Sequence, residues 1–236
     1  MNAYNNVVAA TFVRRPNRFI AYVSIEGREV VAHVKNTGRC KELLVEGARV
    51  YLAVAPKEVP RKTAYDLVAV EKVLPTGERL LINMDAQLPN ALAEEYLRMR
   101  LADKPYVIIR REVTHGDSRF DLCLTDALTG KKTFVEVKGV TLEHNGVAAF
   151  PDAPTERGIK HLRGLAACVK EGHGACVFFV VQMKGVRAFR PNDETHPAFG
   201  EALREAFAAG VEILCMDCLV TPQDVAIDAP VPVDLS

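Results

Sequence analysis

The chain has 236 residues, 49% hydrophobic and 25% charged, ordinary values for a globular protein with material for one large domain or two modest ones. Lys plus Arg and Asp plus Glu stand at 30 each, so the whole molecule lacks the basic surplus of a strong polyanion binder. No apolar run approaches the ~18 residues of a membrane span, and Met1-Asn2-Ala3-Tyr4-Asn5-Asn6 lacks a basic-then-apolar leader; a cytoplasmic protein without membrane contact is expected.

Residues 7–85 read as short strands punctuated by turns. Val7–Val13 is apolar, and Arg18–Ile25 and Glu29–Val34 flank the hairpin signal Glu26-Gly27-Arg28. Val50–Ala55, Thr63–Val73 and Arg79–Asn83 follow, separated by Pro56…Pro60 and Pro75-Thr76-Gly77. About five short strands predict a small barrel of the OB kind or, alternatively, an irregular β-sandwich. This part is also the basic one: residues 1–86 carry 13 basic and 9 acidic side chains, the remainder 17 and 21. Asn36-Thr37-Gly38-Arg39 forms a tight-turn signal with Lys35, Arg39 and Lys41 around it. It reads either as a phosphate-contacting loop, with Asn36, Thr37 and Arg39 on a nucleic-acid strand, or as a solvated loop opening a short helix.

Leu88-Pro89-Asn90 starts a new unit, which places a domain boundary near residue 86 and gives domains 1–86 and 87–236. Ala91–Ala102 has helical periodicity, with Leu92, Tyr96, Leu97 and Leu101 on one face. Next come a strand at Tyr106–Val113, apolar segments at 119–124 and 133–138, a helix at about Thr155–Lys170 and a strand at Gly174–Val181. A helix at His196–Ala209, a strand at Val211–Met216 and an irregular acidic tail with Pro222, Pro230 and Pro232 complete the chain. The order is α-β-β-β-α-β, then α-β. The six cysteines fall mostly in apolar segments, where buried reduced thiols are expected. Cys215 and Cys218 make a lone Cys-x-x-Cys without a second ligand pair, for which a structural role is expected.

The segments 119–124 and 133–138 flank a turn ending in Thr129-Gly130 and predict an antiparallel hairpin. Alternation puts Glu136 and Lys138 on one face of its second strand, with Val135 and Val137 on the other. Asp121 sits on the first strand among apolar neighbours, where a lone carboxylate is costly to bury. Two acids and a lysine on adjacent strands suggest a metal-dependent nuclease centre; the bland alternative is an exposed cross-strand ion pair of little energetic value. Downstream, Thr155 suits an N-cap, and Arg157, Lys160 and His161 share a helix face at i, i+3 and i+4. Arg157 and Lys160 are candidate phosphate contacts; the alternative for His161 is an ordinary surface histidine. Asp117 and Asp126 look like turn residues. Glu112 is an acid that could approach the metal, and Glu94 and Glu95 have no assigned role.

Asp121…Glu136-x-Lys138 within α-β-β-β-α-β resembles the PD-(D/E)xK nuclease superfamily, although Phe120 stands where that signature has Pro. A longer resemblance covers nearly the whole chain. Asn36-Thr37-Gly38, Ser118-Arg119-Phe120-Asp121, the run from Val135 to Leu142 and the block from Phe150 to Leu162 are similar to the sugar fermentation stimulation protein A (SfsA) family. Arg39-Cys40 departs from it, standing where the family carries a small residue and Met. The resemblance implies an N-terminal OB-fold barrel followed by a restriction-endonuclease-like α/β domain with a mixed sheet. It also implies DNA binding without marked sequence preference, an association with regulation of sugar (maltose) metabolism, and a divalent-metal nuclease activity. Asp121 and Glu136 would then hold Mg²⁺ or Mn²⁺ with the Val137 carbonyl as a further ligand, leaving Lys138 free to face water or phosphate. The competing expectation is a non-catalytic DNA-binding regulator that keeps the nuclease scaffold. A small-molecule enzyme of sugar metabolism is suggested by the family name alone.

Overall fold

The structure, a computed structural model, describes residues 3–36, 38–56 and 61–236. It divides into two compact units, the first made of 1–87, 182–185 and 217–228 and the second of 88–181, 186–216 and 229–236.

The first unit is built on β1 (Val7–Arg14), β2 (Ile20–Ile25), β3 (Arg28–Val34), β4 (Arg49–Val54), β5 (Tyr65–Val73) and β6 (Arg79–Asn83). Glu26 and Gly27 both have positive φ, 48° and 82°. That is the requirement of a two-residue hairpin turn whose twist matches its strands, and Ile25 accordingly pairs with Arg28. The order β3-β2-β1-β4-β5 closes on itself through a parallel β3–β5 pairing, so five strands make a closed OB-like barrel, with β6 added on β5. Closure removes the free edges that the sandwich alternative would have left. Ala21, Val23, Ala32, Val50, Leu52, Leu67 and Val70 fill the interior.

Segment 182–185 joins this unit through polar contacts. Asn83 N donates to the Gln182 carbonyl at 2.9 Å, and Gln182 Nε2 donates to Asn83 Oδ1 at 2.9 Å and to the Asp85 carbonyl at 3.1 Å. Segment 217–228 follows it, with Cys218 N donating to the Met183 carbonyl at 3.1 Å and Tyr4 N to the Gln223 carbonyl at 3.1 Å. Sequence periodicity marks strands but not such returns of the chain.

The second unit opens with α1 (Leu88–Arg100), β7 (Val107–His115), β8 (Ser118–Asp126) and β9 (Lys132–Val140). Then come β10 (Leu142–His144), β11 (Val147–Phe150), α2 (Glu156–Lys170), β12 (Gly174–Val181), β13 (Ala188–Pro191) and α3 (Pro197–Ala208). Two last strands, β14 (Glu212–Val220) and β15 (Val225–Pro230), lie beside one another, and their residues 217–228 are counted with the first unit. The main sheet is mixed, in the order β15-β14-β12-β9-β8-β7, with β7–β8 and β8–β9 antiparallel and β9–β12 parallel. β12 is buried along almost its whole length, as a strand covered on both faces requires. The acidic tail is therefore not wholly irregular: β15 pairs beside β14, its alternating exposure showing a half-buried strand despite the flanking prolines. A small sheet, β10-β11-β13, also went unforeseen, because its strands are three or four residues long.

α2 begins where expected: Thr155 is its N-cap, with Oγ1 accepting from Gly158 N at 3.1 Å. The helix buries Ile159, Leu162, Leu165 and Cys168. Gly158 and Gly164 set how closely it approaches its neighbours. A Cβ on Gly164 would lie 2.7 Å from Ser118 Oγ and 3.3 Å from Phe120 Cζ, and one on Gly158 would lie 3.1 Å from Phe199. No helix among the described residues is long and apolar enough to cross a membrane. Gly164→Ala should push α2 off β8 and cost about 1–3 kcal/mol, as overpacking does; urea denaturation of wild type and variant measures it, and equal midpoints would refute close packing at this point.

Candidate metal centre

The β8–β9 ladder runs from Thr125↔Lys132 to Leu122↔Val135. One step further the same register brings Asp121 opposite Glu136, but there a side chain replaces the backbone exchange. Asp121 Oδ2 accepts from Val137 N at 2.8 Å, while Oδ1 accepts from Asn90 Nδ2 at 2.8 Å. The two strands thus part at the acid pair, and Asn90, in the first turn of α1, holds the outer oxygen.

Glu136 is almost wholly buried, at 2% exposure. Its Oε1 accepts from Lys138 Nζ at 2.5 Å and bonds His161 Nδ1. Arg157 Nε donates to His161 Nε2 at 3.4 Å, an arrangement that suits the tautomer with its proton on Nδ1. Glu136 Oε2 is the buried side-chain oxygen left without a partner among the described residues. Burial alone would push Glu136 upward, but the bonds from His161 and Lys138 prevail and hold it below the ordinary carboxylate value. Asp121 moves the other way: burial, and then the Glu136 charge, raise it despite the bonds from Val137 and Asn90. An ionised buried carboxylate with an unused oxygen, opposite a second carboxylate that it repels, fits a divalent cation. All-oxygen donors select a hard one.

Asp121, Glu136 and Lys138 are thus brought together, and the Val137 amide takes part. Lys138 does not stand free as expected; it is paired with Glu136. His161, for which a surface position was the alternative, is buried and bonds Glu136 directly. Arg157 and Lys160 are exposed, Arg157 being linked to the centre through His161. Asn90 was missed altogether. Glu112 does not join the centre: it pairs with Arg119 at 2.9 Å on the surface. Glu94 pairs with Arg98 and Arg111. Asp126 is a turn residue as expected, accepting from Leu128 N and Thr129 N at 2.9 Å.

In the first unit, Asn36 Oδ1 accepts from Gly38 N at 2.7 Å, closing the loop with its own side chain. Thr37 lies outside the described residues. Arg39 is exposed, and Lys35 is paired with Asp85 at 2.6 Å. Arg15, not singled out from sequence, is the loop's anchor, donating to the carbonyls of Asn36, Gly38 and Arg39 at 2.7–3.0 Å. A groove of about 440 Å³ beside it is lined by Arg14, Arg15, Arg18, Arg39 and Lys41, with no acid among the described lining residues. Cys215 and Cys218 are three apart on β14, so they point to opposite faces and cannot converge on one ion. Both thiols are buried, and burial pushes Cys218 up to about 12.

A closed OB-like barrel followed by an α/β unit with a mixed sheet defines a two-part architecture. The chain belongs to the sugar fermentation stimulation protein family: the model of the SfsA N-terminal OB domain matches residues 13–79, and that of the sugar fermentation stimulation protein RE domain matches 87–224. A sugar fermentation stimulation protein homolog of Clostridium beijerinckii is 50% identical over 226 residues, covering 95% of this chain and 96% of that protein. Another from Desulfitobacterium hafniense (strain Y51) is 51% identical, covering 94% and 93%. The solved structure of Pyrococcus furiosus SfsA in complex with Ca²⁺ matches with a TM-score of 0.85 at 27% identity over 99% of both chains.

Because Asp121 is raised, the fold favours its protonated form, and the benefit present at acid pH is lost as pH rises through the raised value. Asp121→Asn should therefore raise the melting temperature of chelator-treated protein at pH 7–8. The gain should vanish below the ordinary Asp range, about pH 4. A melting curve unchanged or lowered at neutral pH would contradict the proposed burden on Asp121.

Proposed function

We propose that this protein binds DNA without marked sequence preference and hydrolyses phosphodiester bonds with Mg²⁺ or Mn²⁺ at Asp121 and Glu136. The observation that carries this reading is the buried Glu136 with its unpartnered Oε2, opposite Asp121. The Pyrococcus furiosus relative, solved in complex with Ca²⁺, supports a site for a hard cation in this fold. Asp121, Glu136 and the Val137 carbonyl would hold the ion, which when bound polarises the scissile phosphate and acidifies a water. Val137 N and Asn90 orient Asp121. His161 and Lys138 keep Glu136 ionised, and Lys138, swinging from Glu136, can donate to a phosphate oxygen as negative charge builds there. Arg157 and Lys160, exposed on α2, are cations for the flanking phosphates.

In the first unit the arginine-lined groove and the Asn36–Arg39 loop would contact the sugar-phosphate backbone. Such contacts carry little sequence information, consistent with the absence of marked preference. The pairing of Lys138 with Glu136 favours a second reading, a DNA-binding regulator of sugar metabolism genes in the cytoplasm that has no turnover.

The readings separate experimentally. Glu136→Gln and Lys138→Ala should each lower Mn²⁺-dependent DNA cleavage at least about a hundredfold, equivalent to about 2.7 kcal/mol, with DNA affinity retained. Cleavage equal to wild type removes the nuclease reading. Arg18→Ala with Arg39→Ala should weaken binding to every sequence alike and flatten the dependence of log affinity on log salt by about 0.9 per lost contact on duplex DNA. An unchanged slope would move the DNA face elsewhere.

A further inference from the structure

A second group of ligand-type side chains lies in the same unit, apart from the acid pair. One ligand atom from each of His115, Glu171 and His173 falls within 4.8 Å of the others. His115 Nε2 and Glu171 Oε2 are 2.7 Å apart. From His161 to Glu171 is ten residues along α2, about 15 Å at helical rise, so the group is remote from Glu136.

Each member sits on a fixed piece of backbone. His115 is the last residue of β7 and pairs with Ser118 across the turn Gly116-Asp117. Glu171 is the C-cap of α2, and Gly172 follows with φ 87°. Gly172 N donates to the Val169 carbonyl and His173 N to the Cys168 carbonyl, both at 2.9 Å. That pair of bonds is the Schellman closure of a helix end, and it holds Glu171 and His173 two residues apart on a rigid bend. Phe134 backs both rings: His115 stacks on it with centroids 4.5 Å apart and His173 meets it edge-on at 5.5 Å. The imidazoles are half-buried while Glu171 is exposed, which leaves an entry path from solvent.

We propose that His115, Glu171 and His173 form a site for a borderline divalent transition metal, Zn²⁺ being the representative ion, distinct from the oxygen-donor centre. The chemistry differs in kind: two imidazole nitrogens and one carboxylate suit Zn²⁺ and disfavour Mg²⁺ or Ca²⁺. In a tetrahedral zinc site the ligand atoms stand about 3.3 Å apart. The His115–Glu171 pair would open slightly on binding and His173, within 4.8 Å of both, would close in. The His115–Glu171 pair supplies two of the ligand atoms, and His173, packed edge-on against Phe134, brings a third within 4.8 Å of both. Water takes the fourth position, and the ion ties the β7–β8 turn to the junction of α2 and β12.

The test is calorimetric titration of chelator-stripped full-length protein with Zn²⁺, Mg²⁺ and Ca²⁺ separately. The expected result is a zinc equivalent that His115→Phe and His173→Gln each remove or weaken at least tenfold, and that Glu136→Gln leaves in place. His115→Phe keeps a ring on Phe134, and matching melting temperatures of the zinc-free variants verify folding. X-ray absorption at the zinc edge of the wild type gives a readout that no variant's folding can disturb, and imidazole scattering is expected. The proposal is overturned if the histidine variants bind zinc with wild-type stoichiometry and affinity, if zinc is lost with Glu136→Gln instead, or if the edge shows only oxygen or sulfur neighbours.

Discussion

The burial of an ionised carboxylate at Glu136 is the constraint around which the second unit is arranged. An isolated buried charge costs several kcal/mol, and breaking a buried pair strands the remaining member at similar expense. Glu136 is offset by Lys138 from its own strand and His161 from α2. The strand partner comes free with alternation. The helix partner does not: His161 reaches Oε1 only if α2 lies close against the sheet, and the close approach at Gly164 to Ser118 and Phe120 is what permits it. The packing of α2 is thus tied to the electrostatics of one side chain.

The local break in pairing has the same logic. An ordinary antiparallel ladder would have continued past Leu122↔Val135 and satisfied Val137 N with backbone. Giving that amide to Asp121 instead leaves the strands free to part, and it holds a carboxylate in place by a bond that favours its ionised form. Burial and the Glu136 charge outweigh the bond, so the two acids are driven to opposite sides of the ordinary carboxylate value. One acid stays ionised and presents an unused oxygen, while the other holds its proton more tightly than usual. A cation placed there would therefore have to compete with a proton for Asp121.

Much of this was legible in the sequence where a single period governs placement. Alternation puts Glu136 and Lys138 on one face, and Thr155 marks the start of α2, because strand pleat and N-cap chemistry are local. The barrel followed from strand density and turn residues, though only the β3–β5 pairing, a long-range contact, decides between closed barrel and sandwich. His161 was ambiguous because its neighbours Lys160 and Arg163 are charged. The overlooked signal was the stripe Gly158, His161, Leu165, Cys168, whose helical spacing places the histidine on the buried side. Asn90 and Arg15 had no such marker: each acts across chain separations, 31 residues from Asn90 to Asp121 and 21 from Arg15 to Asn36, that no local pattern encodes. The late segments of the first unit escaped for the same reason, since Gln182 meets Asn83 across 99 residues.

The balanced overall charge conceals a division of labour. In the first unit cations gather along a groove that no acid lines among the described residues, and around a loop whose carbonyls are already occupied by Arg15. With its carbonyls turned to that guanidinium, the loop has less competing negative potential to set against an approaching phosphate. In the second unit two acids, Asp121 and Glu136, meet at one withdrawn point that fits a cation rather than a phosphate, and the exposed Arg157 and Lys160 stand at the start of α2. A net charge of zero is therefore no argument against a polyanionic ligand, because it says nothing of where the charges lie: Asp121 and Glu136 are withdrawn into the second unit, while Arg18, Arg39, Arg157 and Lys160 face solvent.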